Sequence, residues 1–295
     1  LSATLIAFRE RKDGMKLLRY GDPGAEKWGL LDAEGKVRTL DDALATIAGD
    51  ELSPGWIAKL QELDPEKLPI LMTERRIGPP IPRPLNFVCI GLNYADHAAE
   101  TGGKIPKEPI VFLKSLSAFS GPYDDIKIPR GSEKTDWEAE LGVVIGSRAS
   151  YVSEADAMEH VAGFCVVNDV SERSYQMERA GTWDKGKGCE TFGPVGPYLV
   201  TKDEIPDVHD LAVWTDVDGE RMQDGNTKTM IFDVKTLVSY VSQFFVLHPG
   251  DIIATGTPPG VGLGKKPEPI FLRPGQEVRV GVQGLGEQVY KTVAA

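Results

Sequence analysis

Apolar residues fall mostly in short runs broken by glycine, proline and acidic turns, a pattern that predicts many strands and few helices. Strands are expected at residues 16–20 and 28–31, with turn signals at Asp22-Pro-Gly24 and Asp32-Ala-Glu-Gly35. Residues 40–47 and 57–63 carry apolar positions at helical spacing. Ile77-Gly-Pro-Pro-Ile-Pro-Arg-Pro84 holds four prolines in eight residues, which resists both a helix and a sheet ladder. It reads as the linker between a small N-terminal α+β domain, residues 15–80, and a main domain, residues 81–295. Met15 opens the first expected strand, so residues 1–14 are expected to be an upstream or added segment.

Beyond the linker, strands are expected at residues 87–90, 110–113, 126–128, 137–145 and 164–168. Ser153-Glu-Ala-Asp156 has the form of a capping box and predicts a helix start before the last of these. Asp218-Gly219 between two extended runs predicts a hairpin. Val234, Leu237, Val241 and Phe245 predict a helix over 233–245, and strands at 252–255 and 278–282 are expected to close the chain. Helices are too few to alternate with strands, which excludes a doubly wound parallel sheet and leaves an α+β, predominantly β fold. The sequence contains no internal repeat or low-complexity tract.

Composition narrows the function classes. Hydrophobic residues make up 41% and charged residues 26%, enough for a substantial core. A net charge of −11 argues against nucleic acid or an anionic membrane as partner. It does not exclude an acidic substrate, because a local cation can reverse the field in one pocket. No apolar run approaches the ~18 residues of a membrane span, and the first residues lack the form of a secretory signal. Cys89, Cys165 and Cys189 are odd in number and widely spaced, which fits a reducing, cytoplasmic setting better than a disulfide scaffold or a zinc site.

The candidate chemistry begins with Trp137-Glu-Ala-Glu-Leu141. In a strand, residues i and i+2 point to one face, so Glu138 and Glu140 share a side. Two carboxylates ~4 Å apart repel by about 4 kcal/mol at an effective dielectric near 20. They are either solvated on an edge strand or, if buried, matched by a proton, a basic partner or a cation. Asn168-Asp169 ends the apolar run Phe164-Cys-Val-Val167 just before an expected helix, where Asp169 serves as a helix cap or lines a cleft. Three carboxylates without a neighbouring His or Cys form a hard oxygen site suited to Mg²⁺ or Mn²⁺, with Ca²⁺ as a substitute.

His97 and Glu100 lie three apart in Gly91-Leu-Asn-Tyr-Ala-Asp-His-Ala-Ala-Glu100. On a helix that spacing makes them neighbours, either as a surface ion pair or as a general base oriented by a carboxylate. His160, His209 and His248 have no such setting and are expected to be structural or exposed. Glycines flank Lys185 and Lys187, either to solvate the lysines or to bring one against an anion. Thr255-Gly-Thr257-Pro follows a strand and offers hydroxyls and free N–H groups to an anion.

The order of these motifs closely resembles the fumarylacetoacetate hydrolase family over about residues 84–292. The motifs that carry it are Gly-Leu-Asn-Tyr-x-Asp-His-x-x-Glu, Phe112-Leu-Lys114, Gly121-Pro122, Trp-Glu-x-Glu-Leu-Gly-Val-Val-Ile-Gly, Asn-Asp-Val-Ser-x-Arg173, Lys187-Gly, Phe192-Gly-Pro-x-Gly-Pro and Thr-Gly-Thr-Pro-x-Gly-Val-Gly. Residues 171–187 look most like a bacterial subgroup of 2,4-dioxo-3-deoxy-sugar-acid hydrolases and ureidoglycolate lyase-like proteins. The resemblance implies a catalytic domain of mixed β-sheets in a roll and a homodimer. It also implies Mg²⁺ or Mn²⁺ on Glu138, Glu140 and Asp169, with His97 and Glu100 as a water-activating dyad on a lid helix. Lys187 is implied beside the enolate, and Tyr94, Arg173, Gln176 and Thr257 are the expected substrate-binding residues. Ser115 and Glu190 depart from the family pattern, where proline and aspartate are common.

The activity expected from this set is hydrolytic C–C cleavage of a 2,4-dioxo acid to pyruvate and a short acid. The alternatives are ureidoglycolate cleavage, oxaloacetate decarboxylation or hydroxymuconate-type isomerisation on the same site, or a non-catalytic protein that binds metal and oxo-acid.

Overall fold

The computed structural model describes residues 14–47 and 50–295, so the expectation for residues 1–14 lies, apart from Gly14, outside the described residues. The N-terminal stretch forms β1 (Lys16–Tyr20), β2 (Lys27–Leu31), β3 (Val37–Thr39), α1 (Asp41–Leu44), α2 (Pro54–Gln61) and β4 (Ile77–Gly78). Next come β5 (Phe87–Gly91), α3 (Ala95–Thr101), β6 (Ile110–Leu113), β7 (Phe119–Ser120), β8 (Ile126–Ile128), β9 (Thr135–Asp136), β10 (Ala139–Ile145) and β11 (Val161–Asn168). β12 (Ser171–Glu172) leads into α4 (Arg173–Met177) and α5 (Asp184–Lys187), followed by β13 (Gly193–Pro194) and β14 (Leu199–Thr201). The chain ends through β15 (Ala212–Val217), β16 (Glu220–Asn226), α6 (Val234–Val241), β17 (Ile252–Ala254), β18 (Glu277–Val282) and β19 (Gly286–Ala294).

The strands build two principal mixed sheets. The larger has ten strands in the order β3-β2-β1-β14-β11-β10-β17-β5-β6, with β4 beside β1. The second has five, in the order β16-β15-β18-β19-β8. β17 runs parallel to β5 and β19 parallel to β8; the other pairings in these two sheets are antiparallel. Residues 15–80, which local signals set apart, continue the main sheet: backbone pairing of Lys16 with Val200 and Leu17 with Leu199 joins β1 to β14.

β10 lies at the centre and is buried on both faces. Leu141, Val143 and Ile145 share one core with Val213, Val280 and Val282 of the five-stranded sheet. Val144 points the other way, into a second core with Trp56, Phe87, Cys89 and Val167. Glu140 and Gly142 share the Val144 face by the two-residue period. Gly142 is required there, since a Cβ would stand 2.6 Å from Val167 Cγ2 and 2.7 Å from Cys165 Sγ.

Several elements differ from expectation for local reasons. The strand expected from residue 137 starts at Ala139, because Glu138 N donates to the Asn168 side chain. The capping-box signal yields only a 3-10 turn over Ala157–His160; Ser153 Oγ donates to Asp156 Oδ2 at 2.7 Å, with no longer helix to cap. β19 follows the strand expected to be last. Asp218 and Gly219, with φ of 51° and 82°, make the β15–β16 turn as expected. Asp233 caps α6 by accepting from Thr236 N at 2.8 Å. Cys89 and Cys165 are buried free thiols and Cys189 is half-buried. No helix among the described residues is long and apolar enough to cross a membrane.

Candidate metal and active site

The acidic cluster follows from the β10–β11 register. Ala139 pairs with Asn168 and Glu140 with Val167. The ladder extends one step further, since Asp169 N donates to Glu138 O at 2.9 Å. Glu138 and Asp169 therefore face each other across antiparallel strands and project to one side, the side Glu140 occupies two residues on. One carboxylate oxygen from each lies within 4.8 Å of the others. Their residue exposures are 7%, 1% and 0% for Glu138, Glu140 and Asp169, which excludes the solvated-edge alternative.

Basic groups meet these acids from three directions. Lys187, at the end of α5, donates through Nζ to Glu138 Oε2 and Asp169 Oδ2, each at 2.7 Å. α5 reaches that position because Gly186 lets it press on α4; a Cβ there would lie 2.6 Å from Gln176 Cβ. Lys114, fully buried, places Nζ 2.6 Å from Asp169 Oδ1 as an ion pair without hydrogen-bond alignment, and donates to the carbonyls of Val170 and Lys187. Arg173 donates through Nη1 to Glu138 Oε1 at 2.6 Å and through Nε to Asp136 Oδ2 at 2.8 Å. Asp136 also accepts from Gly262 N at 2.6 Å and Leu263 N at 2.9 Å, anchoring the loop after β17.

These contacts set the charges. Burial opposes ionisation of Glu138, but Lys187 and Arg173 outweigh it and hold its carboxyl at about 2. Burial and the neighbouring Asp169 and Glu138 drive the Glu140 carboxyl well above its ordinary range, against the smaller pull of Lys187 and Gly256 N. Lys187 is desolvated, yet Asp169 and Glu138 raise its pKa and keep it an ammonium. Counting charges, Asp136, Glu138 and Asp169 balance Lys114, Arg173 and Lys187 while Glu140 keeps its proton, and an ionised Glu140 adds one negative charge. A hard dication fits this donor set in ligand type, spacing and charge.

A cavity of about 190 Å³ opens onto the cluster. His97, Glu138, Glu140, Arg173, Gln176, Lys187 and Thr257 reach it together with the apolar Phe112, Met177, Trp183 and Leu263. His97 comes from α3, where Nδ1 lies 3.1 Å from Glu100 Oε2; Glu100 is fixed in turn by Gly260 N at 3.1 Å. With Nδ1–H donating to Glu100, Nε2 is left as the basic nitrogen.

The expected substrate-binding residues separate in the structure. Arg173 and Gln176 line the cavity, and Gln176 Oε1 accepts from Arg173 Nη1 at 3.1 Å. Thr257 lines it too, but its hydroxyl donates to Ala139 O and accepts from Gln223 Nε2, pinning the strand between the two glutamates. Tyr94 is fully buried at the start of α3 and is not among the lining residues. Sequence reasoning gave no role to Lys114, Asp136 or Gln223. The one local signal for Lys114 is a lysine directly following the apolar run of β6; the other two act through partners distant in sequence.

Glu190, where the family commonly has aspartate, is exposed and pairs with Lys127 away from the cluster. His160 bonds Ser147 Oγ at 2.9 Å, and His209 accepts from Val234 N, so both are structural.

The model of the fumarylacetoacetate (FAA) hydrolase C-terminal family matches residues 86–293. A protein of Burkholderia multivorans named as a hydrolase is 58% identical over 281 residues, 95% of this chain and 100% of its own length. The solved fumarylacetoacetate hydrolase of the psychrophile Exiguobacterium antarcticum superposes with a TM-score of 0.81 at 34% identity, covering 95% of this chain and 100% of that one. The 2-hydroxyhepta-2,4-diene-1,7-dioate isomerase of Mycobacterium marinum does so with a TM-score of 0.74 at 30% identity, covering 95% and 98%.

Proposed function

Because the chain belongs to the fumarylacetoacetate hydrolase family, we propose that it is a divalent-metal-dependent hydrolase that cleaves a C–C bond of a 2,4-dioxo acid to give pyruvate and a short acid. The observation that carries this reading is one cavity lined by Glu138 and Glu140 of the buried three-carboxylate cluster, by the Lys187 ammonium and by a carboxylate-oriented imidazole. A Mg²⁺ or Mn²⁺ ion held by Glu138, Glu140 and Asp169 would supply Lewis acidity toward the substrate's carboxylate and 2-oxo group.

The residues divide the remaining work. His97, oriented by Glu100, takes a proton from water, and the water oxygen adds to the C4 carbonyl. The C3–C4 bond breaks and its electron pair moves to C3, forming the pyruvate enolate, which then takes up the proton at C3. Lys187 keeps its positive charge beside the place where that anion develops. Isomerisation and decarboxylation do not need an activated water, so the His97–Glu100 pair favours hydrolysis over both.

The test is a substrate panel with Mg²⁺: acylpyruvates, oxaloacetate, ureidoglycolate and 2-hydroxyhepta-2,4-diene-1,7-dioate, scored for pyruvate, glyoxylate and gain of one water by mass. Pyruvate from acylpyruvates is expected. Pyruvate from oxaloacetate alone, glyoxylate from ureidoglycolate alone, or isomerisation without gain of water would each replace the hydrolytic reading.

Asp136 holds Arg173 against Glu138 without facing the cation position. Asp136→Asn leaves Arg173 to draw Glu138 toward itself, and Mn²⁺ binding is expected to weaken about tenfold, as when outer partners of a metal ligand are removed. Titration calorimetry alongside a melting curve checks this. A lowered melting temperature with an unchanged Mn²⁺ Kd would make Asp136 a fold residue only.

A further inference from the structure

We infer that the cavity selects oxo-acids with a short, uncharged tail beyond C4 and rejects diacids, the apolar group Phe112, Met177, Trp183 and Leu263 being the discriminating wall. The inference deepens the hydrolase reading and rests on it for the position of the substrate's head.

The first argument is the state of the cations. Arg173 and Lys187 are the lysine and arginine side chains among the described residues that line the cavity, and neither has charge to spare. Arg173 is shared between Asp136 and Glu138, and Lys187 between Glu138 and Asp169. Lys114, behind them, is committed to Asp169. A bound dication, with Glu140 ionised to hold it, would leave the site a single positive charge. One substrate carboxylate matches that charge; a second would remain uncompensated, beside the further negative charge of Glu100. A carboxylate drawn from water without a partner is strongly disfavoured.

The second argument is the wall itself. Phe112 and Trp183 meet edge-on, with ring centroids 5.2 Å apart. Trp183 closes against Gly91, where a Cβ would stand 2.5 Å from Trp183 Cζ3, so the indole is packed over the strand end. Met177, 60% exposed, sits at the rim. None of these groups carries a positive charge to match an anion. The cavity volume of about 190 Å³ falls below the ~300–1,000 Å³ usual for drug-sized ligands and suits a small acid. The Gln176 amide, whose oxygen already accepts from Arg173, has its N–H₂ group to offer a hydroxyl or carbonyl oxygen on that tail.

Titration calorimetry on the Mg²⁺-loaded protein separates tail from head. 2-Oxopentanoate and 2-oxoglutarate share the 2-oxo-acid head and differ in a terminal methyl or carboxylate; at least about tenfold tighter binding of 2-oxopentanoate is expected. In turnover, acetylpyruvate should exceed succinylpyruvate in kcat/KM by a similar factor. Met177→Lys, at an exposed rim position, should narrow the binding ratio at least about fivefold by giving a tail carboxylate its partner. Equal or tighter binding of 2-oxoglutarate by the wild-type protein overturns the inference. So does a ratio unmoved by Met177→Lys. Absence of pyruvate from both acylpyruvates, with the binding preference intact, sinks the hydrolytic reading alone and supports the tail preference.

Discussion

Glu140→Gln is expected to raise the melting temperature of the metal-free protein by a few degrees while lowering turnover by at least about a hundredfold. The two effects have one cause. Glu140 is 1% exposed, and burial with Asp169 and Glu138 drives its carboxyl well above the ordinary value of 4.5. A carboxyl whose folded pKa exceeds its unfolded value contributes stability that is complete below 4.5 and is lost as pH rises through the folded value. Near neutral pH the metal-free protein therefore carries a cost at Glu140 that a neutral amide does not. Roughly 1 kcal/mol of relief moves the midpoint by about 2–4 °C in a protein of this size. Glutamine keeps the acceptor for Gly256 N, which now meets Glu140 Oε2 at 2.8 Å, so the strand end is preserved.

Glu138, two residues away, behaves in the opposite sense. Its carboxyl, held at about 2 by Lys187 and Arg173 against burial, contributes stability above 4.5 that is lost as pH falls toward about 2. A bound dication would take the proton from Glu140, so metal affinity should rise with pH above the ordinary carboxyl value of 4.5. Melting curves from about pH 5 to 8, with chelator or with Mg²⁺, check both points. In Glu140→Gln the Mg²⁺-dependent increase should vanish. A metal-free variant that melts below wild type at neutral pH, or one that keeps full turnover, would remove Glu140 from the cation site.

The contrast between those glutamates shows how far local pattern reaches. Their common face is visible in Glu138-Ala-Glu140, because the strand period alone decides it. Asp169 stands out as an acid ending an apolar run, but its place opposite Glu138 depends on β10–β11 register, which no short window contains. The roles of Lys114, which the sequence shows only as the end of a motif, and of Asp136 are hidden for the same reason: one takes its role from Asp169, the other from Arg173 and the loop at Gly262. A buried polar residue hides β19 from the local pattern. Gln288 interrupts the apolar alternation, yet it donates inward to the carbonyls of Val166, Pro194 and Gly196. The boundary expected at residue 80 likewise rests on proline content, whereas sheet continuity is set by β1 pairing with β14 far along the chain.

The second large effect is expected from His97→Ala: kcat should fall by about 10²–10⁴, the usual contribution of a positioned general base, with oxo-acid and metal binding changed by no more than a few-fold. The imidazole is absent from the acidic cluster and reaches the same cavity from α3, so its removal leaves Glu138, Glu140, Asp169 and Lys187 in their present contacts. Glu100→Gln tests the other half of the dyad. The amide can still face His97, but it no longer stabilises the imidazolium that forms when a proton is taken, so kcat should fall without an equal change in KM. Oxalate and Mn²⁺ titrations beside the kinetics separate this from loss of the site. If His97→Ala keeps turnover within threefold of wild type, the proton is taken elsewhere; if binding is lost with turnover, α3 is a binding element and the hydrolytic assignment loses its base.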